Sequence, residues 1–182
     1  EQASGVGLDG FFDQWTRRAG YPELTVSWEW VEARKLARVK VEQTQVSDSL
    51  TPVFRFDLPV RLALKDHDER VTLSVEGRHA ETWIPLTEKP RYVEVNDGLS
   101  VLCRIKFERD VTELSAQLAD APLAASRIEA ARALGDKGTP AAIAALARAL
   151  TTDRFYAVRQ ACAEGLAKVP TVEGLAALAP GL

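Results

Sequence analysis

"FFDQWTRRAGYPELTVSWEW", residues 11–30, changes its hydrophobic period halfway along. Leu8, Phe11, Phe12 and Trp15 fall at i, i+3, i+4 and i+7, which gathers the bulky groups on one face and predicts a helix over 9–18. Arg17 and Arg18 suit the negative end of the helix dipole, Gly20 can take the left-handed stop position, and Pro22 bars continuation. From Leu24 onward Val26, Trp28 and Trp30 alternate with Thr25, Ser27 and Glu29, as in a strand with one wet face.

The period of two persists to Phe107. Strands are predicted over 24–30, 37–43, 53–64, 71–75, 80–86, 91–95 and 101–107, separated by Ser-, Asp-, Asn- and Gly-rich turns. Seven short strands at this spacing predict an antiparallel β-sandwich. Pro52, Pro59 and Pro85 are expected at strand starts, edges or bulges, because a central strand cannot lose an N–H.

Beyond Glu108 the composition shifts: residues 110–182 hold 21 of the 27 alanines but only 2 of the 13 aromatics, which is helix-bundle material. Asp110 can cap a helix to about Ala119, and Pro122 suits the first turn of a second that stops near Gly135. Thr139 and Pro140 open a third. A fourth carries Phe155, Val158, Cys162, Leu166 and Val169, ending before Pro170, and a short fifth holds Leu175 and Leu178. "RIEAARALGD" from Arg127 aligns with "RQACAEGLAK" from Arg159, placing Ala131 over Ala163 and Leu134 over Leu166. Such a repeat is the layout of a helical-hairpin solenoid, and it resembles HEAT-type repeats, notably in "DRFYAVRQACAEGL" (153–166); an irregular helical cap is the alternative. The expected fold is therefore α+β and multidomain: a terminal helix and linker (1–22), a sandwich (23–109) and a HEAT-like domain (110–182).

The 182 residues carry 23 Lys+Arg against 26 Asp+Glu, a net charge of -3, with signs interspersed. Neither nucleic acid nor an anionic membrane is an expected partner. No apolar run nears the roughly 20 residues of a membrane span, and no signal-peptide layout opens the chain. The sequence holds no methionine and begins at Glu1, from which we expect a processed chain or an excised piece of a longer one.

Motifs for chemistry are sparse. Gly5, Gly7 and Gly10 of "GVGLDG", with Glu29 downstream, match a dinucleotide fingerprint, but no strand precedes Gly5, so an entry loop is expected. His67 and His79 are placed in charged hairpin turns without ligand spacing, and Asp66, Asp68 and Glu69 lack the glycine a calcium loop requires. There is no G-x-S-x-G elbow, and Cys103 and Cys162 are expected to be buried and inert. No catalytic, cofactor or metal residue is assigned.

Phe11, Phe12, Gln14, Trp15, Gly20, Pro22, Leu24, Val26, Ser27 and Trp28 together resemble the passage in aminopeptidase N-like zinc metallopeptidases where the catalytic domain gives way to a β-sandwich. The resemblance continues through "VKVEQTQ" (39–45), "TPVFRFDLPVRLAL" (51–64), "WIPLTEKPRYVEVN" (83–96) and "RIEAARALG" (127–135). It implies that zinc, the H-E-x-x-H motif and the remaining catalytic groups belong to a preceding domain. No zinc or other cofactor is expected in this segment. The implied partners are that upstream catalytic domain and, in the parent, a peptide substrate. Phe11, Phe12 and Trp15 would form the interface with the upstream domain, and the sandwich and helices would scaffold and partly cover its cleft. A stand-alone interaction module with a HEAT-like groove, or a fragment of an inactive relative, is the alternative.

Overall fold

A computed structural model describes residues 8–169 and 172–179. The first helix, α1 (Asp9–Phe12), widens into a π-helical stretch, Asp13–Arg17, and Arg18 is already extended. The expected single α-helix to Arg18 is thus half π-wound. The π stretch coincides with long-range anchors: the Gln14 side chain donates to the Arg55 carbonyl at 2.8 Å and accepts from the Arg55 amide at 2.7 Å. Gly20 adopts φ +81, the left-handed stop that its position demands.

Seven strands follow: β1 (Glu23–Val31), β2 (Leu36–Gln43), β3 (Phe56–Ala63), β4 (Asp68–Val75), β5 (His79–Pro85), β6 (Tyr92–Val95) and β7 (Arg104–Phe107). They form a four-stranded sheet of order β5-β2-β1-β7 and a three-stranded sheet of order β4-β3-β6. β1 pairs antiparallel with β2, with Trp28 opposite Val39, and β2 pairs antiparallel with β5. β7 instead runs parallel to β1, a departure from the all-antiparallel expectation. Its start is delayed to Arg104 because the Asn96 side chain holds Val101 in the loop, donating to its carbonyl at 2.9 Å and accepting from its amide at 3.0 Å. Pro59 lies inside β3, the middle strand of its sheet. Its carbonyl accepts both the Asn96 amide at 2.7 Å and the Asp97 amide at 3.3 Å, a bulge just past the end of β6.

Two compact units divide the chain. The first comprises residues up to Arg61, Glu69–Lys89 and Val95–Glu108. Its core is the alternate rows Leu24 and Val26, Ala37, Val39 and Val41, with Leu58, Val60, Leu73, Val75 and Ile84. Among the described residues, the polar Gln43 sits fully inside it. Gln43 donates to the Phe54 carbonyl at 2.7 Å and the Gly77 carbonyl at 2.9 Å, and accepts from the Phe54 amide at 2.9 Å. Gln45 donates to the same Gln43 oxygen at 2.9 Å, so the "EQTQ" segment ties three backbone segments without leaving a buried polar group unmet.

The second unit takes Leu62–Asp68, Pro90–Glu94 and everything from Arg109. Its helices are α2 (Val111–Asp120), α3 (Ala124–Lys137), α4 (Pro140–Thr152), α5 (Tyr156–Ala167) and α6 (Val172–Leu178). Asp110 caps α2 by accepting from the Glu113 amide at 2.8 Å, and Thr139 caps α4 from the Ala142 amide, as the capping pattern predicts. α3 starts after Pro122 and passes through Gly135, ending instead at Gly138, whose φ of +59 makes the left-handed cap. The reason is tertiary: Gly135 faces Gly165 of α5, and a Cβ there would stand 2.6 Å from the Gly165 Cα. The helices share a core of Leu114, Leu118, Leu134, Ile143, Leu146, Val158, Cys162 and Leu166.

Candidate functional site

α1 and its π extension present the rings singled out in the sequence. Phe11 is 54% exposed and Phe12 45% exposed, and their rings meet edge-on with centroids 5.7 Å apart. Trp15 meets Phe11, with centroids 6.5 Å apart, but also packs inward. Half-buried, it stacks on Phe54 at 5.3 Å and approaches Phe56 at 6.4 Å. Trp15 is therefore the anchor that fixes the helix to the β-unit, and Phe11, Phe12 and the exposed Leu8 form its open side. Burying such rings is worth on the order of 2 kcal/mol each, a stabilisation that Phe11 and Phe12 largely forgo here.

Trp28 and Trp30 are neither core nor free surface. Both are half-buried, with Lys89 Nζ 5.9 Å from the Trp28 ring and Lys35 Nζ 5.8 Å from the Trp30 ring. On the outer face of the larger sheet, Arg38 lies 4.8 Å over the Trp83 ring and pairs with Glu29 and Glu81. The Glu81 carboxyl is held below the usual range, chiefly by its hydrogen bond from Arg38. Sequence reading did not single out this ladder, which forms only when β1, β2 and β5 come into register.

The remaining candidates stay apart. His67 sits in an exposed turn, its carbonyl accepting from the Leu64 amide at 2.9 Å. His79, expected in a turn, is instead the first residue of β5, opposite Glu42. Asp68 and Glu69 belong to β4, so they do not curl around a cation with Asp66. Among the described residues no three His, Cys, Asp or Glu side chains converge as a metal site, so the residues present do not fit a zinc ion. No described helix is long and apolar enough to cross a membrane. Gly5 and Gly7 lie outside the described residues, as does Pro170, while Gly10 is within α1.

Both thiols are free. Cys162 is fully buried, and burial, aided by the Asp153 carboxylate, pushes its pKa up to about 12. Cys103 departs from expectation: it precedes β7 rather than lying in it, and is only half-buried, with Asn96 Nδ2 3.6 Å from its Sγ. Burial nonetheless raises its pKa. Phe155, expected on the buried stripe of α5, is the exposed residue just before that helix, its ring tilted against that of Tyr156 with centroids 5.1 Å apart.

A different group, missed in the sequence, dominates the helical unit. Arg127 is buried and its guanidinium meets Asp153, Nε to Oδ2 at 2.7 Å, while donating to the Ala121 carbonyl at 2.8 Å. Burial alone would raise the Asp153 carboxyl, but hydrogen bonds from Arg127 and the Phe155 amide outweigh it and hold it below its ordinary value. Arg159 donates to the Asp153 carbonyl at 2.8 Å, so the repeat-related arginines converge on one aspartate. The signal was present as the aligned Arg127 and Arg159; their shared acceptor was not.

Comparison with known proteins follows this division. Residues 111–182 match the HEAT repeats family. No curated protein sequence matches the chain. Among solved structures, the chain is similar to Legionella pneumophila aminopeptidase A, crystallised in complex with aspartic acid, at 18% identity and a TM-score of 0.66. The match covers 93% of this chain and 20% of that one, so the chain spans about a fifth of the length of that aminopeptidase. At such identity the likeness is one of fold: two β-sheets followed by HEAT-like helices, as in one portion of an aminopeptidase.

Proposed function

We propose that this chain is the non-catalytic C-terminal part of a zinc-dependent aminopeptidase, in which the sandwich and HEAT-like helices scaffold and partly cover a cleft whose chemistry lies in another domain. The observation that carries this reading is the likeness in fold over 93% of the chain to one fifth of an aminopeptidase. The exposed Phe11 and Phe12, on a helix anchored by Trp15, support it as the surface that meets the upstream domain. Zinc would be held, and water activated, in that domain.

The test is to produce the region preceding Glu1 in the parent gene, alone and joined to this chain, and to assay aminoacyl-anilide hydrolysis with and without a chelator. Chelator-sensitive turnover is expected from the joined protein and none from these residues alone. Phe11→Ser with Phe12→Ser should weaken association of the two parts. A preceding region without H-E-x-x-H, or a joined protein without turnover, would refute the reading. The match of 111–182 to HEAT repeats favours a second reading, an independent protein-binding module, which an unrelated upstream sequence would support.

A further inference from the structure

The β-unit spreads its exposed apolar side chains unevenly. β1 begins at Glu23; β2 ends beside that point, with Gln43 opposite Leu24, and β7 starts beside it, with Arg104 opposite Glu23. Three stretches therefore meet at one end of the larger sheet: the α1 segment before β1, the loop 44–55 after β2 and the loop 96–103 before β7. Among the described residues of this unit, every exposed large apolar side chain except Trp83 lies on these three stretches. Phe11 and Phe12 belong to the first. Val46 and Leu50, on the second, are 82% and 66% exposed, and Leu99 and Leu102, on the third, are 68% and 72% exposed. Main-chain bonds hold the stretches at the start of β1. The Ala19 amide donates to the Leu50 carbonyl at 3.0 Å, the Thr44 amide to the Glu23 carbonyl at 2.7 Å and the Arg104 amide to the Pro22 carbonyl at 2.9 Å. Leu99 is kept at φ +55, a left-handed conformation that leucine seldom adopts. Apolar side chains scattered singly are ordinary, but gathered on the loops at one end of a sheet they mark a contact surface.

We propose that this whole end of the β-unit, both loops together with α1, is the seat of the domain that precedes these residues in the parent chain. The inference rests on the aminopeptidase reading and extends its contact from one helix to the loops 44–55 and 96–103. Two observations select this occupant over a second copy of the chain. The polypeptide enters this end through α1, so a preceding domain is tethered against the surface, at an effective concentration on the order of millimolar for a short linker. The similar aminopeptidase also extends far beyond the 20% of its length that is matched, which leaves ample chain to supply the mate.

The test compares hydrogen exchange, read by mass spectrometry, in the full 182-residue chain and in the same chain joined to its upstream region, with aminoacyl-anilide turnover as a separate readout. Joining should slow exchange about tenfold or more over 44–51 and 96–103, as over 9–17, and leave the Glu32–Arg34 turn at the far end of β1 unchanged. Leu50→Ser with Leu102→Ser in the joined protein should restore fast exchange over both loops, while the circular dichroism of the 182-residue chain carrying them stays unchanged. Slowing over 9–17 alone, with turnover intact, would overturn this proposal and leave the aminopeptidase reading standing. Slowed loops without turnover would support the seat and count against the reading of the parent's activity. An unaffected double variant, equal slowing at Glu32–Arg34, or the same slowing in the 182-residue chain alone as its concentration rises, which would assign the surface to a second copy, would each overturn the proposal.

Discussion

Gly135→Ala sets helix propensity against tertiary packing, and the two make opposite predictions. In an exposed helix interior the change gains about 1 kcal/mol. Here the new Cβ would lie 2.6 Å from the Gly165 Cα and 3.0 Å from its carbonyl oxygen. Carbon atoms rest about 3.5–4.0 Å apart, so α3 and α5 must separate by roughly 1 Å, since both obstacles are backbone and neither can swing aside. Overpacking of this kind costs about 1–3 kcal/mol, and the separation also loosens Leu134, Cys162 and Leu166, which are fully buried. The expected net result is a loss of about 2 kcal/mol, measured by urea unfolding followed by far-ultraviolet circular dichroism. Gly165→Ala should cost less, its nearest obstacles being the Ala131 carbonyl at 3.1 Å and the movable Leu146 Cδ1 at 3.3 Å. Gly10→Ala, with nothing within 4 Å, should be neutral or stabilising. A Gly135→Ala midpoint at or above that of the parent chain would refute the close approach of these helices.

Asp153→Ala leaves the Arg127 guanidinium buried without its counterion and should cost about 3–5 kcal/mol, most of it recovered by adding Arg127→Met; urea midpoints of the three variants check this. Because the folded Asp153 carboxyl is depressed, its contribution is present above the unfolded value near 3.8 and is lost as pH falls through the lower folded one. Asp153→Asn should therefore flatten the acid limb of a stability titration. Gln43→Leu strands the Phe54 amide and two carbonyls inside the β-unit and should cost about 2–4 kcal/mol by urea unfolding. Cys162 should resist a thiol reagent at neutral pH until the chain unfolds, leaving Cys103 as the slowly reacting group in a stopped-flow trace.

The sequence carried the local physics of this chain. Asp110 and Thr139 announced helix starts because a cap needs only its neighbours three residues on, and the alternation of Leu24, Val26 and Trp28 announced a strand because pleating is local. The repeat of Arg127 over Arg159 and the wealth of alanine pointed to stacked helical hairpins, where residues 111–182 match HEAT repeats. The uneven split of the aromatic face was half legible. Helical spacing grouped Phe11, Phe12 and Trp15, but only the placement of Phe54 and Phe56 decides that Trp15 turns inward and the phenylalanines stay out.

What tertiary structure alone decided depends on partners distant in sequence. The parallel seating of β7 on β1, the tolerance of Pro59 in a middle strand, and the passage of α3 through Gly135 are each set by a neighbour that local period and propensity do not name. The charged groups show the same limit. Arg127 and Arg148 look alike in sequence, yet folding buries the first against Asp153 and leaves the second exposed, because ion pairing is settled by distance in space.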